Sequence, residues 1–584
     1  MTTLNVTLST ILPPNLELVQ IADPGTGTVR VTGAAGSVEP NRRVRVTNLR
    51  TGASVLVDAD AQGAFFAEIE GLPTDELQIR AENASGVTSA PRVATVPGQA
   101  LPPSPQSVAT PLASTGITPF ADSIAFLYSA SNPIQSGVAP GTIQAERASV
   151  LRGSVTTRAG QPIANVVVSV KDHSEYGQTR TRIDGRFDLA VNGGSTLTID
   201  YQRTGYLPVQ RHVTPAQKDY ALTDNVVMIP PDASATVIEL NAATLQAHQS
   251  SVTTDLDGDR RVTVMVPAGT TATLTLPDGS TQPLTASMRV RATEYTVGVT
   301  GAEAMPAPLP PTSAYTYAVE LSVDEAIAAG ARRLDFNQPL PIYLENFLNF
   351  PIGAQVPVGY YDSGASAWIA SENGRVIRII GIAGGLAELD VDGSNEAAGS
   401  TALAALGLSN AERQRLATLY SVGAAFWRFR VTHFSPWDCN FPFDLAPDAN
   451  PPPDFNPDQS PDDLDSDETP ECEGCTIEAH TQVLGESIRI TGTPYTINYR
   501  SDRAGGGGFA FPVTGATLAP SLATVDVRVS VAGRDILSTS TGQYSPARLV
   551  PSQNHIQAAD WDGRDVYGRP MLLEIGRASC RERV

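Results

Sequence analysis

Lysine is almost missing from this chain. Lys171 and Lys218 are the only two, and arginine carries every other fixed positive charge. Aromatic residues make up 6% of the sequence, and four cysteines are spread over 584 residues. That is far too few cysteines for a disulfide-stapled scaffold. No window approaches the ~18 consecutive apolar residues of a membrane helix, so no membrane span is expected. The first residues, MTTLNVTLSTILPPNLELVQ, carry neither the basic start nor the long apolar centre of a secretory signal. Basic charge is also short: the net charge is −21 and the isoelectric point about 4.7. Nucleic-acid partners need a basic face that displaces counterions, and none is available.

Signatures of catalysis are missing too. The histidines, at 173, 212, 248, 433, 480 and 555, never pair four residues apart, and no HExxH occurs. No G-x-S-x-G nucleophile turn is present. The glycine run at 505–508 lacks the following helix and Lys-Ser/Thr of a phosphate cradle, and reads as a hairpin tip.

What the chain does have is punctuation. With 49 Gly and 45 Pro, 41% hydrophobic and 17% charged residues, it is a folded chain of many short strands and few helices. At this length several domains are expected. After an N-terminal segment (1–24), residues 25–96 alternate with period two, as in TVRVTG, RRVRVTNL and ELQIRAEN, with turns about every ten residues. This segment resembles bacterial Ig-like sandwiches, with DADAQGAFFAEI as a hairpin. Residues 97–150, opening PGQALPPSPQSVATPLAS, read as an extended, mobile Pro/Ser/Thr-rich linker.

Residues 151–225 contain LRGSVTTRAGQPIANVVVSVKDHSEYGQTRTRIDGRFDLAVNGG and a closing TGY. They resemble the carboxypeptidase regulatory-like, transthyretin-related β-sandwich, a passive scaffold in that family. Asp184-Gly185 reads as its tight turn. Residues 226–442 mix strands with two short helices. One begins at VDEAIAAGARR. The other, SNAERQRLATLY, shows a capping box of Ser409 and Glu412. Residues 443–475 are acidic and Pro-rich and read as a solvated linker.

Within the larger region stands VPVGYYDSGASAWIASENGRVIRIIG, a stretch with two tyrosines and a tryptophan but no nucleophile. Together with DEAIAAGARRLDFNQPLPIYLENFLNFPIGAQ, LAELDVDG and FWRFRVTHFSPWDCNFP, it resembles the region preceding the repeats in Rhs (rearrangement hotspot) and teneurin-like YD-repeat proteins. Residues 476–573, with TQVLGESIRITG and WDGRDVYGRP, resemble the start of the shell with an inserted sandwich motif. That resemblance implies a fibronectin-like plug closing a spiralling β-shell around a C-terminal toxin or recognition domain. The fold class expected is therefore mostly β: tandem β-sandwich modules, a β-rich plug region with two short helices, and the first strands of a YD shell.

The last residues, EIGRASCRERV at 574–584, look like a translated sequencing adapter, and the reading frame is expected to continue differently past Leu573. The function expected is a non-catalytic scaffold and plug of a bacterial Rhs/YD-repeat toxin, with any enzyme in its C-terminus. The alternative is a surface adhesin of tandem sandwiches. Partners would be the chain's own YD shell and toxin cargo, or a target-cell surface protein or glycan. The location would be secreted or on a bacterial cell surface. No cofactor is expected beyond a structural calcium.

Three sets of side chains are candidates for chemistry. Asp390, Asp392 and Glu396 place oxygens at alternating positions, as calcium loops do, and so do Asp255, Asp257 and Asp259; an Asp-Gly hairpin explains either pattern equally simply. Cys439 pairs with Cys472 or Cys475 in a disulfide, or the thiols stay free or bind metal. Trp368, Trp427, Trp437 and Trp561 read as core anchors rather than a sugar platform.

Overall fold

The structure is a computed structural model that describes residues 11–23, 27–98, 100–113, 118–310, 313–442, 448, 485–489, 496–500, 507–522, 524–537 and 547–571. It is mostly β, as the strand patterning requires, and its described residues pack as a series of sandwiches.

The first sandwich buries alternate residues of its central strands. Thr28–Gly33 lies between Val19–Ala22 and Phe65–Glu70; the facing sheet runs Ser54–Asp58, Arg43–Asn48, Glu76–Glu82, Arg92–Thr95. Val29, Val31, Val44, Val46, Leu77 and Ile79 fill the space between. Two expectations shift here. Ile11, Leu16, Val19 and Ile21 belong to this core, so the fold begins inside the presumed N-terminal segment. DADAQGAFFAEI is an arch between sheets rather than a hairpin, because Ser54–Asp58 and Phe65–Glu70 pair with different partners. Its turn is set by Asp60, whose carboxylate accepts from Gln62 and Ala64 N–H. Gly63 (φ 77°) completes it where a Cβ would lie 2.1 Å from the Val38 carbonyl oxygen.

The second sandwich has one sheet in the order Val209–Val213, Leu197–Gln202, Val167–Val170, Gln178–Arg180, Gln135–Ser136. The other is Arg186–Asn192, Ala148–Thr156, Asp219–Leu222, with Val226–Val227 also on the central strand. That central strand, ASVLRGSVT, is buried at all nine positions. A half-exposed strand would alternate. Leu151 and Val155 face the sandwich core, so something must cover the other face.

Part of the cover is the stretch expected to be a mobile linker. The described residues 105–113 and 118–129 include three short helices, Pro105–Val108, Phe120–Ile124 and Phe126–Ser129, the last two of which bury Ile124, Phe126 and Leu127 against Val150 and Ala190. The Pro/Ser/Thr composition disguised four large apolar residues, and those residues drive this strap onto the sheet. Gln135 pins its end: its amide donates to Tyr176 and Ala190 carbonyls and accepts from Ala190 N–H.

The largest unit has three layers. A six-stranded sheet (Thr236–Glu239, Ser287–Glu294, Ala318–Val323, Pro436–Asp438, Gly359–Asp362, Ala367–Ala370) faces a nine-stranded one. The long strands Arg333–Glu345 and Ala425–Phe434 run through the middle of the second sheet. Trp427, Phe429 and Trp437 pack between the sheets. On the far side, helices Ser400–Ala405 and Asn410–Leu419 cover Tyr343, Ile377, Ile379 and Phe426. The two helices expected from DEAIAAGARR and SNAERQRLATLY are present at Asp324–Ala328 and Asn410–Leu419, and Ser400–Ala405 is additional.

The last described unit pairs Gly507–Pro512 with Ile556–Trp561 and Val525–Val527 with Ala547–Leu549, around Phe511, Val527 and Val529.

Candidate functional site

Buried charge is costly unless it is paired, so the buried charges mark where the fold has been built to satisfy them. Two such pairs share Asp188 on the second sandwich, which also buries Arg211, and these groups stand at two joints.

The first joint faces the three-layer unit. Arg211, buried, donates to the carbonyls of Glu303 (2.6 Å) and Met305 (3.1 Å). Gln210 N–H donates to Pro306 O, and its side-chain oxygen accepts from the Tyr361 hydroxyl at 2.6 Å. Lys171 reaches the Gly364 carbonyl. Leu207, Val227 and Ile229 of the sandwich share one apolar cluster with Tyr295, Met305 and Leu309, and Trp368 packs against it. The tyrosine-rich stretch at 356–381 thus has a structural assignment. Its hairpin, Gly359–Asp362 with Ala367–Ala370, sends Tyr360 into the three-layer core, and Tyr361, Gly364 and Trp368 to the sandwich. Its next strand, Gly374–Ala383, supplies Ile377 and Ile379 to the layer under the helices.

Glu320 sits at this joint. Its carboxylate accepts from the buried Tyr295 hydroxyl at 2.7 Å. Desolvation pushes the carboxyl up to about 7, against the lowering effect of that bond. A carboxyl whose folded pKa lies above its unfolded one binds a proton only in the folded state between the two values. Stability therefore falls as pH rises from about 4.5 to about 7. The residue keeps some exposure, which trims the effect to about 2 kcal/mol. Glu320→Gln is expected to gain stability on the wild type at pH 8 relative to pH 5, measured as the difference in urea midpoint. Equal differences at both pH values would show that Glu320 does not titrate in that range.

The second joint closes over the other face of the fully buried strand. Arg152 and Asp188 stand directly opposite each other in register. Asp188, wholly buried, accepts from Arg152 Nε and from Arg182 Nη1 at 2.8 Å. Desolvation pushes its carboxyl up, but the two guanidiniums outweigh burial and hold it below the usual carboxylate range. Arg152 Nη1 also donates to Gly533 O at 2.7 Å, so the network reaches the last unit across some 380 residues of chain. Gly533 (φ 78°) allows this approach: a Cβ there would lie 2.7 Å from the Tyr220 ring.

Into the same place comes the turn after Trp561. Asp565 accepts from the Tyr567 and Arg569 N–H groups and pairs with the Arg569 guanidinium at 2.7 Å. Tyr567, buried, meets Phe126 edge-on at 5.0 Å between ring centres and Tyr220 at 5.9 Å. Arg569 lies over the Phe126 ring at 5.5 Å and donates to the Thr110 and Ser123 carbonyls of the strap, both at 2.9 Å.

The sandwich that carries both joints matches the teneurin TTR-like domain over residues 143–228. Teneurin-3 of Mus musculus is 39% identical over 124 residues, 21% of this chain but 4% of its own length. Teneurin-1 of Gallus gallus is 38% identical over 111 residues, 19% of this chain and 4% of its own. Teneurin-m of Drosophila melanogaster is 39% identical over 87 residues, 15% of this chain and 3% of its own. The chain is thus teneurin-like in about a fifth of its length, and the aligned part is a small fraction of those relatives. Among solved structures, a bacterial ice-binding adhesin aligns over 56% of this chain at 13% identity with a TM-score of 0.14. A Ca2+-stabilized adhesin of an Antarctic bacterium aligns over 96% at 10% with a TM-score of 0.12. Both scores are too low to carry any argument about architecture.

The sequence-derived candidates fare unevenly. Asp390 is buried, but its oxygens already accept from the Gly393 and Asn395 N–H groups and from Arg378 at 3.2 Å. Asp392 and Glu396 are exposed and turn-bound, and no group of three acidic, His or Cys side chains suited to a metal stands among the described residues. The structure therefore does not gather Asp390, Asp392 and Glu396 into a calcium cage. Asp255 likewise serves Arg260, which it pairs at 2.7 Å across the Thr253–Asp255 and Gly258–Arg260 hairpin. Cys439 is buried beside the Tyr317 backbone, and burial pushes its thiol up. Cys472 and Cys475 lie outside the described residues. Trp427 and Trp437 are core, Trp368 is the joint anchor, and half-buried Trp561 donates to Arg564 O to brace the turn. Sequence reasoning missed Arg152, Asp188, Gln210 and Arg211. Their signal was there: charged and amide side chains inside strands otherwise rich in Val and Leu.

Proposed function

We propose that this chain is a non-catalytic scaffold of an extracellular, teneurin-like protein of the Rhs/YD-repeat type, in which the TTR-like sandwich braces the units on either side of it. The observation that carries this reading is the double joint: one small sandwich spends its buried cations and its sheet faces on holding two other units. The similarity to the teneurin TTR-like domain supports the same reading. In the fuller form of the proposal, the three-layer unit and the unit at 507–571 act as the plug at the mouth of a YD shell, and any toxin cargo belongs to that shell. Secretion to a bacterial surface follows from the same role.

The test is the genomic sequence of this locus beyond the codon for Leu573. A frame that continues into Y-D repeats supports the scaffold of an encapsulating shell. A frame that continues into further sandwich modules and a wall-anchoring signal overturns it in favour of an adhesin. Recombinant chain that hydrolyses peptide, ester or glycoside substrates would overturn the non-catalytic part.

A further inference from the structure

The strap at 105–113 and 118–129 and the turn at 562–571 are far apart in sequence, yet each is half of the other's core. The strap's helices Phe120–Ile124 and Phe126–Ser129 have five and four residues. Isolated helices need roughly 12–15 residues to persist in water, so these exist only while their buried face is covered. The sandwich covers one side of Phe126 through Val150 and Ala190; the other side is covered by Tyr567. The strap carbonyls of Thr110 and Ser123 find a cation in Arg569, which arrives only with the turn. In return the strap supplies Gln106, whose amide donates to the Val566 carbonyl. Without the strap, Arg569 would keep Asp565 but lose both carbonyls and the ring beneath it.

We propose that the sandwich face around Arg152 and Asp188 is a docking socket for a tyrosine-tipped Asp-x-Tyr-x-Arg turn, filled here by Asp565 to Arg569, and that docking of the turn and ordering of the strap are one event. The strap is then the socket's second wall, assembled on the occupant. Because coupling between two such elements is reciprocal, loosening either must loosen the other by the same factor.

Hydrogen exchange on the full chain tests this. The readouts in the strap are the Ser123, Tyr128 and Ser129 amides, which are bonded within it. In the turn they are the Tyr567 and Arg569 amides, both held by Asp565. Tyr567→Ala is expected to speed strap exchange at least tenfold while strand Ala318–Val323 keeps its protection. Tyr567→Phe, which keeps the ring, should stay within threefold of the wild type. Phe126→Ala should speed exchange at the two turn amides by the same factor that Tyr567→Ala does in the strap. The proposal falls if the strap is unchanged when the turn is released, if Phe126→Ala leaves the turn amides as they were, or if either variant strips protection from Ala318–Val323 as well.

Discussion

Asp188→Ala is expected to cost about 3–5 kcal/mol and to free the unit at 507–571 from the TTR-like sandwich. Two guanidiniums share this wholly buried carboxylate. Removing it leaves Arg152 with the Gly533 carbonyl alone as a strong acceptor, inside a face that water does not reach. An uncompensated buried charge is more costly than the lost pair itself, which is why deleting one partner hurts more than deleting both. Arg152→Met together with Asp188→Leu should therefore be less destabilising than Asp188→Ala alone. Protease sensitivity of the 507–571 unit and the urea midpoint are the two measurements. A double variant as damaged as the single one would mean the network contributes attraction rather than merely satisfying itself. The pH dependence has a fixed sign. Asp188's folded pKa is depressed, so its contribution is present above the usual carboxylate range near 4 and is lost as pH falls through the depressed value.

How far this was legible from the residues depends on which interactions are local. Period-two alternation and capping residues are local, and they pointed to the strands of the first sandwich and to the helix that opens at Ser409. Pairing partners are not local. The segment DADAQGAFFAEI joins two strands through a turn in either case, and whether they pair or part into separate sheets depends on Arg43–Asn48 and Thr28–Gly33, the strands they pair with. The strap shows the same limit more sharply. Proline and serine content pointed to an extended, mobile linker, where the structure places three short helices. Its order comes instead from Phe120, Ile124, Phe126 and Leu127 meeting a sheet and a tyrosine from the far end of the chain. At the calcium candidates the sequence left two readings open, a metal loop or an Asp-Gly turn. Alternating acidic residues did form turns at Asp255 and Asp390, but nearby Arg260 and Arg378 took the carboxylates that the pattern offered to a metal. In a chain where arginine is nearly the only cation, a buried carboxylate is usually the counterpart of an arginine from another strand, and the sequence does not say which one.

Glu412 shows the same point inside a motif that sequence did locate, and it carries the second large effect. The capping-box reading has Ser409 bonding the Glu412 N–H and Glu412 reaching back to Ser409. The first half is present at 3.1 Å. The Glu412 side chain instead turns inward, where it accepts from Arg428 (2.7 Å) and from the Tyr343 hydroxyl (2.7 Å). Arg428 is buried on strand Ala425–Phe434, and it also donates to the carbonyls of Leu406 and Gly407 that end the preceding helix. A buried guanidinium needs a counterion more than a helix start needs its second cap, since a cap contributes about 1 kcal/mol and an unpaired buried charge costs several. One carboxylate thus ties both helices to the nine-stranded sheet. Glu412→Ala is expected to cost about 3–5 kcal/mol. Exchange at the amides of Asn410–Leu419 should rise by roughly a hundredfold or more, while Ala318–Val323, on the opposite sheet, stays protected. Serine at 409 tests the alternative account directly. If Ser409→Ala proves as damaging as Glu412→Ala, the helix is held by its cap and not by Arg428. If it costs about 1 kcal/mol, the buried pair is what fixes these helices over Tyr343 and Phe426.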